Sequence, residues 1–381
     1  MSVRVLHLAD LHLGAAFPSI RERGPERTRD LLAAFLRAID FATRDPKPAD
    51  VVAIAGDLFD THDPEEGLVY QVEAAIDRLA QAGLPVLIAP GTHDAPSYRR
   101  CVYRRLRIPS SAHVFLSPLL EPGPLITVGS ETVQTYGVAY DASACERPLA
   151  DFHPSGLVDY HLAVIHGALQ DSPTWKIRPT DLPMTRAEIA KSGLHYAALG
   201  HYHNFAEVRE NGAVAVYPGT LEGKRFGENG PRYLVVATLS RDGITLERTP
   251  WNVRTLHDAV IDLGLAELRG EEQLESRLLA FAGDREITRI RIEGPADFVF
   301  DPDRIQKRLA PKFFHLEIED RTYVVNAALL TRYKDEATVR GVFVRRMLEK
   351  IDRAPDTPTR EAATQALRLG LAEFQNPRHA P

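Results

Sequence analysis

The chain has 381 residues, of which 44% are hydrophobic and 26% are charged, an ordinary composition for a folded globular protein. Its formal net charge is −6, so the overall basic charge of many nucleic-acid-binding proteins is missing, although metal ions or local arginine clusters can supply positive potential. No stretch approaches the roughly 20 apolar residues that cross a bilayer, and no signal-peptide pattern opens the chain. We therefore expect a cytoplasmic protein, long enough for two domains.

The first part of the chain alternates predicted strands and helices. Apolar runs at Val3–Leu8, Val51–Ala55 and Val86–Ala89 are typical of buried strands, and amphipathic helices are predicted around residues 31–39 and over 65–82. Strand, helix and strand in succession predict parallel strands in a layered α/β core.

Short β-type runs dominate from Val114 to Glu247, separated by glycine and proline, and predict a second sheet stacked on the first. The tail contains two amphipathic helices separated by Pro355 and Pro358, which either pack on the chain's own core or dock to a partner. We expect a layered α/β domain at residues 1–253, a small α+β domain at 254–330 and a C-terminal helical hairpin at 331–381.

Aspartate and histidine recur at the carboxyl ends of predicted strands. The stretches are Asp10-Leu11-His12, Gly56-Asp57-Leu58-Phe59-Asp60, Gly91-Thr92-His93-Asp94, His166-Gly167 and Gly200-His201-Tyr202-His203. The alternative is a set of unrelated polar loop residues, but five such strand ends in one order are hard to obtain by chance. We expect their side chains to converge.

Carboxylates and imidazoles together suit divalent ions such as Mn²⁺, Fe²⁺ or Zn²⁺. Two such ions about 3.5–4 Å apart, bridged by one carboxylate, polarise a phosphoryl oxygen and generate hydroxide at neutral pH. Asp57 is the candidate bridge, and His93 is the candidate proton donor to the leaving oxygen. The other candidate ligands are Asp10, His12, His166, His201 and His203.

The order of these motifs resembles that of the calcineurin-like metallophosphoesterases and, within them, the DNA repair exonuclease branch of SbcD and YhaO-like proteins. The narrower match lies in Leu6–Gly14, Gly56–Asp60, Tyr217–Thr220 and Gly223–Pro231, and the tail from Arg332 to Leu371 also resembles YhaO-like proteins. The resemblance implies an α/β fold with two stacked mixed sheets flanked by helices, a four-layer αββα sandwich, followed by a smaller α+β cap and a helical tail.

Position by position, the resemblance implies two metal sites, usually filled by Mn²⁺. One metal would be held by Asp10, His12, Asp57 and His203, and the other by Asp57, His166, His201 and the residue at Thr92. Thr92 replaces the asparagine of the family. Because a neutral hydroxyl is a weaker ligand than an amide carbonyl, we expect weaker binding at the second site and reduced or strictly Mn²⁺-dependent activity.

The resemblance also implies that His93 is the catalytic histidine and that Asp94 orients it. The function it implies is a DNA nuclease, acting as an exonuclease or structure-specific endonuclease in DNA repair, with an SbcC-type, SMC-like coiled-coil ATPase as partner. The cap would present DNA and the tail hairpin would dock the partner. Two alternatives remain open: a small-molecule or protein phosphoesterase on the same metals, and an assembly subunit that has lost strong catalysis through Thr92.

The segment Tyr98–Ile108 carries Arg99, Arg100, Arg104, Arg105 and Arg107. It is either a solvated helix face or a surface that contacts phosphates or a partner beside the metal site. A homodimer is also implied by the resemblance, and we expect its interface at this segment or at the helix over residues 65–82.

Overall fold

The computed structural model describes residues 2–144, 147–171, 177–266, 268, 270–296, 298, 300–324 and 327–375. The chain forms two compact units, Met1–Thr255 and Leu256–Pro381. The expected α/β class is confirmed, because two mixed sheets flanked by helices build the first unit. The expected subdivision of the remainder at residue 331 stays a prediction.

The first sheet has six strands. They are β1 (Ser2–Leu8), β2 (Val51–Ala55), β3 (Val86–Ala89), β4 (Ala112–Val114), β11 (Tyr233–Ser240) and β12 (Gly243–Pro250). Their order in the sheet is β12-β11-β1-β2-β3-β4, with β1 to β4 parallel and β11 antiparallel to both β1 and β12. The expectation that all late β-type runs belong to the second sheet is therefore wrong for β11 and β12. Their apolar residues indicate burial, but a buried strand can pair with either sheet.

The second sheet also has six strands. They are β5 (Glu121–Val128), β6 (Glu131–Val138), β7 (Tyr160–His166), β8 (Tyr196–Gly200), β9 (Ala206–Glu210) and β10 (Ala213–Tyr217), in the order β5-β6-β7-β8-β10-β9. Strands β6, β7, β8 and β10 are parallel. The two sheets pack face to face, because buried Val51 and Leu87 of the first share one core with Leu162 and Val216 of the second.

Helices flank these sheets, and the described part of the first unit contains three α-helices. They are α1 (Gly24–Thr43), α2 (Glu66–Gln81) and α3 (Arg186–Lys191). Helices α1 and α2 contact each other, α2 contacts β3, and α3 contacts β9 and β10. The arginine-rich segment contains a short 3-10 turn at Val102–Arg104 in place of the helix considered above.

The second unit has its own sheet and two apolar clusters. The sheet strands are β13 (Thr255–Asp262), β14 (Gly283–Ala296) and β15 (Phe313–Val324), and the helices are α4 (Leu263–Ala266), α5 (Glu271–Leu279), α6 (Pro302–Leu309), α7 (Ala327–Asp335), α8 (Val339–Asp352) and α9 (Thr357–Gln375). One cluster includes Leu274 and Ile290, and the other, between α7, α8 and α9, includes Tyr333, Val344 and Leu371. Of the described helices, none is both long and apolar enough to cross a membrane.

Candidate metal centre

The loops after β1, β2 and β3 and the ends of β7 and β8 carry the predicted site residues to one place. The N–H of His12 donates to the carbonyl oxygen of Asp57 at 2.9 Å, so the loops after β1 and β2 stay paired beyond their strands. Gly200 lies so close to β2 that a Cβ at this position would be 1.7 Å from the carbonyl oxygen of Ala55. Glycine is therefore required where the second sheet approaches the first.

Four of the predicted ligands have left-handed backbone conformations. The φ angles are 51° at Asp10, 44° at His12, 47° at Asp57 and 105° at His201. Residues other than glycine rarely adopt this region, because the Cβ crowds the backbone. Each such residue costs on the order of 1–3 kcal/mol, and this strain is found mostly at functional sites. The same conformation also occurs at Arg21, Leu182 and Asn211, so it is concentrated at the residues chosen from the sequence but is not confined to them.

The first group of converging donors consists of Asp10, His12 and His203, whose ligand atoms all lie within 4.8 Å of one another. Nε2 of His12 is 3.1 Å from Nε2 of His203 and 3.7 Å from Oδ2 of Asp57. Two imidazole lone pairs that face each other repel unless a cation or a proton lies between them. The donors therefore fit the first of the two expected metal sites.

The second group contains Asp10, Asp57 and His166, which also have ligand atoms within 4.8 Å of one another. Nδ1 of His166 is 3.1 Å from the carbonyl oxygen of Ala55, so the N–H at Nδ1 can donate there and leave the lone pair on Nε2. Nε2 is buried 3.5 Å from Oδ2 of Asp57 and has no hydrogen-bond partner among the described residues. A buried nitrogen without a partner is costly, and a metal ion at this position would satisfy it.

His201 lies beside the second group. Its ring packs edge-on against His166, with the ring centroids 5.2 Å apart. Its backbone N–H donates to both carboxylate oxygens of Asp10, at 3.0 and 3.1 Å, and its Nε2 is 3.7 Å from Oδ2 of Asp181. His201 thus fixes Asp10 through its backbone, whether or not its ring binds metal.

Thr92 contacts the carboxylate of Asp57. Oγ1 of Thr92 is 3.2 Å from Oδ2 of Asp57, and the backbone N–H of His93 donates to Oδ1 at 2.8 Å. The threonine hydroxyl therefore donates to the very carboxylate that is expected to bridge the two ions. That Thr92 itself binds a metal ion stays a prediction.

The charges of the site favour a bound cation. Burial raises the pKa of Asp57, but the nearby imidazoles of His166, His12 and His93 outweigh it and hold this pKa well below its usual value. Burial and the charge of Asp57 raise the pKa of Asp10 well above its usual value. Burial lowers the pKa of both His12 and His166 to about 4. His12 and His166 are therefore neutral near pH 7, as metal binding requires. A bound cation would also relieve the repulsion between the carboxylates of Asp10 and Asp57.

A second set of residues holds the outer nitrogens of the candidate ligands. Nδ1 of His203 is 2.7 Å from Oε1 of Glu228, and Nδ1 of His12 is 3.1 Å from Oδ1 of Asp60. Nζ of Lys224 is 2.5 Å from the same Asp60 oxygen, and the Lys224 backbone N–H donates to Oε2 of Glu228 at 2.7 Å. At His203, the carboxylate at Nδ1 favours the tautomer in which Nε2 presents its lone pair, which orients the ring for metal. Nδ1 of His12 lies near both the Asp60 carboxylate and Nζ of Lys224, which is 3.0 Å away, so these two groups together fix the position of that ring.

Sequence reasoning gave no role to Lys224 and Glu228, although both lie in the stretch Gly223–Pro231 that carries part of the resemblance. Both belong to the loop between β10 and β11, residues 218–232. A buried ion pair anchors this loop: Nη1 of Arg27 on α1 is 2.7 Å from Oε2 of Glu222. The family resemblance of this stretch was the signal that could have found Lys224 and Glu228. Their charge alone could not, because a charged residue in a loop is more often solvated than structural.

His93 lies at the more open side of the group, with its side chain 43% exposed. Its Nδ1 is 2.9 Å from the carbonyl oxygen of Asp60, and its ring packs edge-on against His12 with the centroids 4.7 Å apart. With the N–H at Nδ1 donated to this carbonyl, Nε2 remains available to a substrate.

Among the residues that the structure describes, the hydrogen-bond donors to the Asp94 carboxylate are groups other than the His93 ring, and the expected role of Asp94 in orienting His93 stays a prediction. Its buried carboxylate accepts the backbone N–H groups of Gly91 at 2.8 Å and Phe59 at 3.1 Å, and the hydroxyl of Tyr103 at 2.8 Å. Asp94 therefore ties together the backbones that carry the site and positions His93 indirectly. Burial, reinforced by the charge of Asp57, raises the pKa of Asp94 to about 7.

Strand-end carboxylates and imidazoles on two face-packed sheets are the arrangement expected of the metallophosphoesterase class. The chain belongs to the calcineurin-like phosphoesterase family, whose model matches residues 3–205.

Individual relatives come from bacteria and archaea. The chain is 29% identical over 241 residues to the uncharacterized metallophosphoesterase YhaO of Bacillus subtilis, covering 61% of this chain and 57% of that protein. It is 31% identical over 279 residues to the DNA double-strand break repair protein Mre11 of Aeropyrum pernix, covering 68% of this chain and 64% of that protein. The chain thus spans less than two thirds of the length of either relative.

Among solved structures, the chain is similar to GAP50, the anchor in the inner membrane complex of Plasmodium. The TM-score is 0.40 and the sequences are 12% identical, covering 65% of this chain and 84% of that one. A likeness at this level carries no argument about function.

Proposed function

We propose that the chain is a DNA nuclease that depends on two divalent metal ions, Mn²⁺, and acts in DNA repair as a cytoplasmic homodimer. The observation that carries this proposal is the convergence of Asp10, His12 and His203 beside Asp57 and His166, with clustered carboxylates and with lowered pKa values at His12 and His166. The similarity to a protein named as an Mre11 DNA double-strand break repair protein supports DNA as the substrate.

The roles of the ligands follow the two groups of donors. Asp10, His12, Asp57 and His203 would hold one ion, and Asp57, His166, His201 and Thr92 would hold the other. When bound, the ions supply a hydroxide nucleophile and neutralise charge on the phosphoryl oxygens. Asp57 suits the bridging position, because its carboxylate lies 3.7 Å from Nε2 of His12 and 3.5 Å from Nε2 of His166.

His93 would act on the substrate as a proton donor or as a positive charge. With Nδ1–H donated to the carbonyl oxygen of Asp60, a protonated His93 presents Nε2–H to the phosphodiester. As the P–O bond to the leaving group breaks, that proton passes to the leaving oxygen. The Asp60 carbonyl keeps the ring oriented, and Asp94 keeps the loop in place through Gly91.

The units of the chain suggest further roles. The α+β part of residues 254–330 would present DNA to the metal centre, and the helices after residue 331 would dock an SbcC-type, SMC-like coiled-coil ATPase. A hydrolase for small substrates has no evident need for either element. These roles rest on the family resemblance and on the separate apolar clusters of the second unit.

A second candidate function is favoured by Thr92. Its hydroxyl donates to Asp57, in place of an asparagine carbonyl that would bind the second ion. A poorly filled second site would leave little catalysis, and the chain would then serve mainly to dimerise and regulate an ATPase.

The test is hydrolysis by the purified chain with Mn²⁺. The substrates are labelled single- and double-stranded DNA, an aryl phosphodiester and an aryl phosphomonoester. We expect cleavage of DNA and of the diester, and a loss of about 10²–10⁴-fold in turnover with His93→Ala, since this variant removes the proton donor. Leu157→Ala, at an exposed position in the loop before β7, is the control and should leave turnover unchanged.

Other results would favour the alternatives. A preference for the monoester would indicate a small-molecule or protein phosphoesterase on the same metals. No turnover together with tight binding of a coiled-coil ATPase would support the assembly subunit. Equal activity of His93→Ala and the native chain would contradict the proposed role of His93.

A further inference from the structure

An aromatic and basic surface lies beside the candidate metal centre. His62, Tyr98, Arg99 and Arg100, together called the Tyr98 surface, line a cavity of about 550 Å³. The rings of His62 and Tyr98 are stacked, with their centroids 4.2 Å apart and their planes 20° apart. The imidazole covers one face of the phenol ring, and Tyr98 is still 43% exposed. A rigid aromatic ring is therefore offered to solvent.

The two arginines of this surface have no acidic counterpart. Both are exposed, and their guanidinium groups make no ion pair or hydrogen bond with any other residue that the structure describes. Arg105, a few residues further on, is instead paired with Asp63 at 2.9 Å. In a chain with net charge −6, two adjacent free cations create a local positive potential that suits phosphate groups.

The Tyr98 surface is tied to the catalytic loop by hydrogen bonds. The carbonyl oxygen of Asp60 accepts from Nδ1 of His93 at 2.9 Å, and the carbonyl oxygen of His62 accepts the N–H of Val102 at 2.8 Å. His62 follows Asp60 by two residues, so their Cα atoms are at most about 7 Å apart. The stacked rings are thus within a nucleotide or two of the position where His93 would meet a phosphodiester.

We infer that the Tyr98 surface binds an unpaired nucleotide of a single-stranded DNA end, next to the phosphodiester that is cut. The base stacks on Tyr98, and Arg99 and Arg100 contact the flanking phosphates. This inference rests on the proposed nuclease function and specifies its substrate. Aromatic stacking combined with arginines is a common means of holding single strands without sequence preference. A second copy of the chain fits less well, because a two-fold interface centred here would bring the same arginines together.

The test compares a single-stranded oligonucleotide with bis(4-nitrophenyl) phosphate, a diester too small to reach both subsites. With the full chain and Mn²⁺, Tyr98→Ala should raise KM for the oligonucleotide about tenfold, the size expected for one lost stacking contact. Its kcat/KM for the aryl diester should stay within about twofold of the native value, since the metal centre is untouched. Tyr98→Phe, which keeps the ring, should behave as the native chain.

The arginines have a separate readout and a matched control. The double variant Arg99→Ala and Arg100→Ala should raise KM for the oligonucleotide and flatten its dependence on salt, because fewer counterions are released on binding. Arg29→Ala, at an exposed position on α1, and Leu157→Ala, at an exposed position in the loop before β7, should change neither quantity.

Three results would overturn the inference. The first is an unchanged KM for the oligonucleotide in Tyr98→Ala, and the second is an equal loss on both substrates. The third is conversion of a dimer to monomers by Tyr98→Ala in analytical ultracentrifugation, which would make this surface an interface between copies.

Failure of the proposed nuclease function is distinguishable from failure of this inference. If the native chain cuts neither substrate, binding of a fluorescent single-stranded oligonucleotide is measured by anisotropy in Ca²⁺. Tyr98→Ala should still bind about tenfold more weakly, and an unchanged Kd would overturn the inference.

Discussion

At the scale of single residues, we predict that Thr92 limits how well a second ion is held. Its hydroxyl donates to Asp57 at 3.2 Å, whereas an asparagine would offer a carbonyl oxygen to the metal. Thr92→Asn should lower the Kd of the weaker Mn²⁺ site about tenfold, or about 1.4 kcal/mol, as measured by isothermal titration calorimetry. Thr92→Val keeps the shape without the hydroxyl and should not tighten this site. Two tight and equivalent sites in the native chain would contradict the prediction.

Asp94 gives the folded chain a pH-dependent stability. Burial raises its pKa from 3.8 to about 7, so the folded chain keeps this proton over a range in which the unfolded chain has lost it. The stability that Asp94 contributes is therefore complete below about pH 4 and is lost as the pH rises to about 7. Asp94→Asn cannot titrate. In urea unfolding with EDTA, the native free energy of unfolding should fall relative to that of the variant between about pH 5 and 7. Parallel curves would show that the carboxylate stays ionised.

At the scale of elements, the loop at residues 218–232 contacts His203 directly and His12 through Lys224, the two histidines of the first candidate metal site. Glu228 binds Nδ1 of His203 and the N–H of Lys224, whose side chain reaches the Asp60 carboxylate beside His12. Glu228→Gln replaces a charged acceptor with an amide and should weaken Mn²⁺ binding about 10–100-fold. Calorimetry at constant pH measures this change.

Two further variants separate orientation from folding. Glu247→Gln, at an exposed position on β12, should leave Mn²⁺ affinity unchanged. A Glu228→Gln chain that binds Mn²⁺ like the native one but unfolds at lower urea would limit Glu228 to a structural role.

The same elements show what the sequence could predict. Strands β2 and β3 coincide with their predicted apolar runs, because a strand buried on both faces reads as a continuous apolar stretch. The pairing of β11 with β1 was not predictable in this way, since burial does not select the neighbour. Likewise, the candidate ligands directly follow predicted strands, and this position in the sequence located them. Glu228 was not located, because it acts through a contact with His203, from which it is separated in the chain.

At the scale of the whole molecule, the residues predicted to carry out catalysis are confined to one unit. All predicted site residues lie within Met1–Thr255, and this unit has its own apolar cores between and outside the two sheets. The second unit has separate clusters of its own. Because neither the metal ligands nor their outer partners come from the second unit, residues 1–255 expressed alone should fold and bind Mn²⁺.

This truncated chain should hydrolyse bis(4-nitrophenyl) phosphate with kcat/KM within about threefold of the full chain, since the small diester needs only the metal centre. Its kcat/KM for DNA should fall further than this if the α+β part presents DNA, so the ratio of the two losses measures what the second unit contributes. Circular dichroism and urea unfolding establish that the truncated chain is folded. A folded truncated chain that no longer binds Mn²⁺ would show that the centre depends on residues beyond 255.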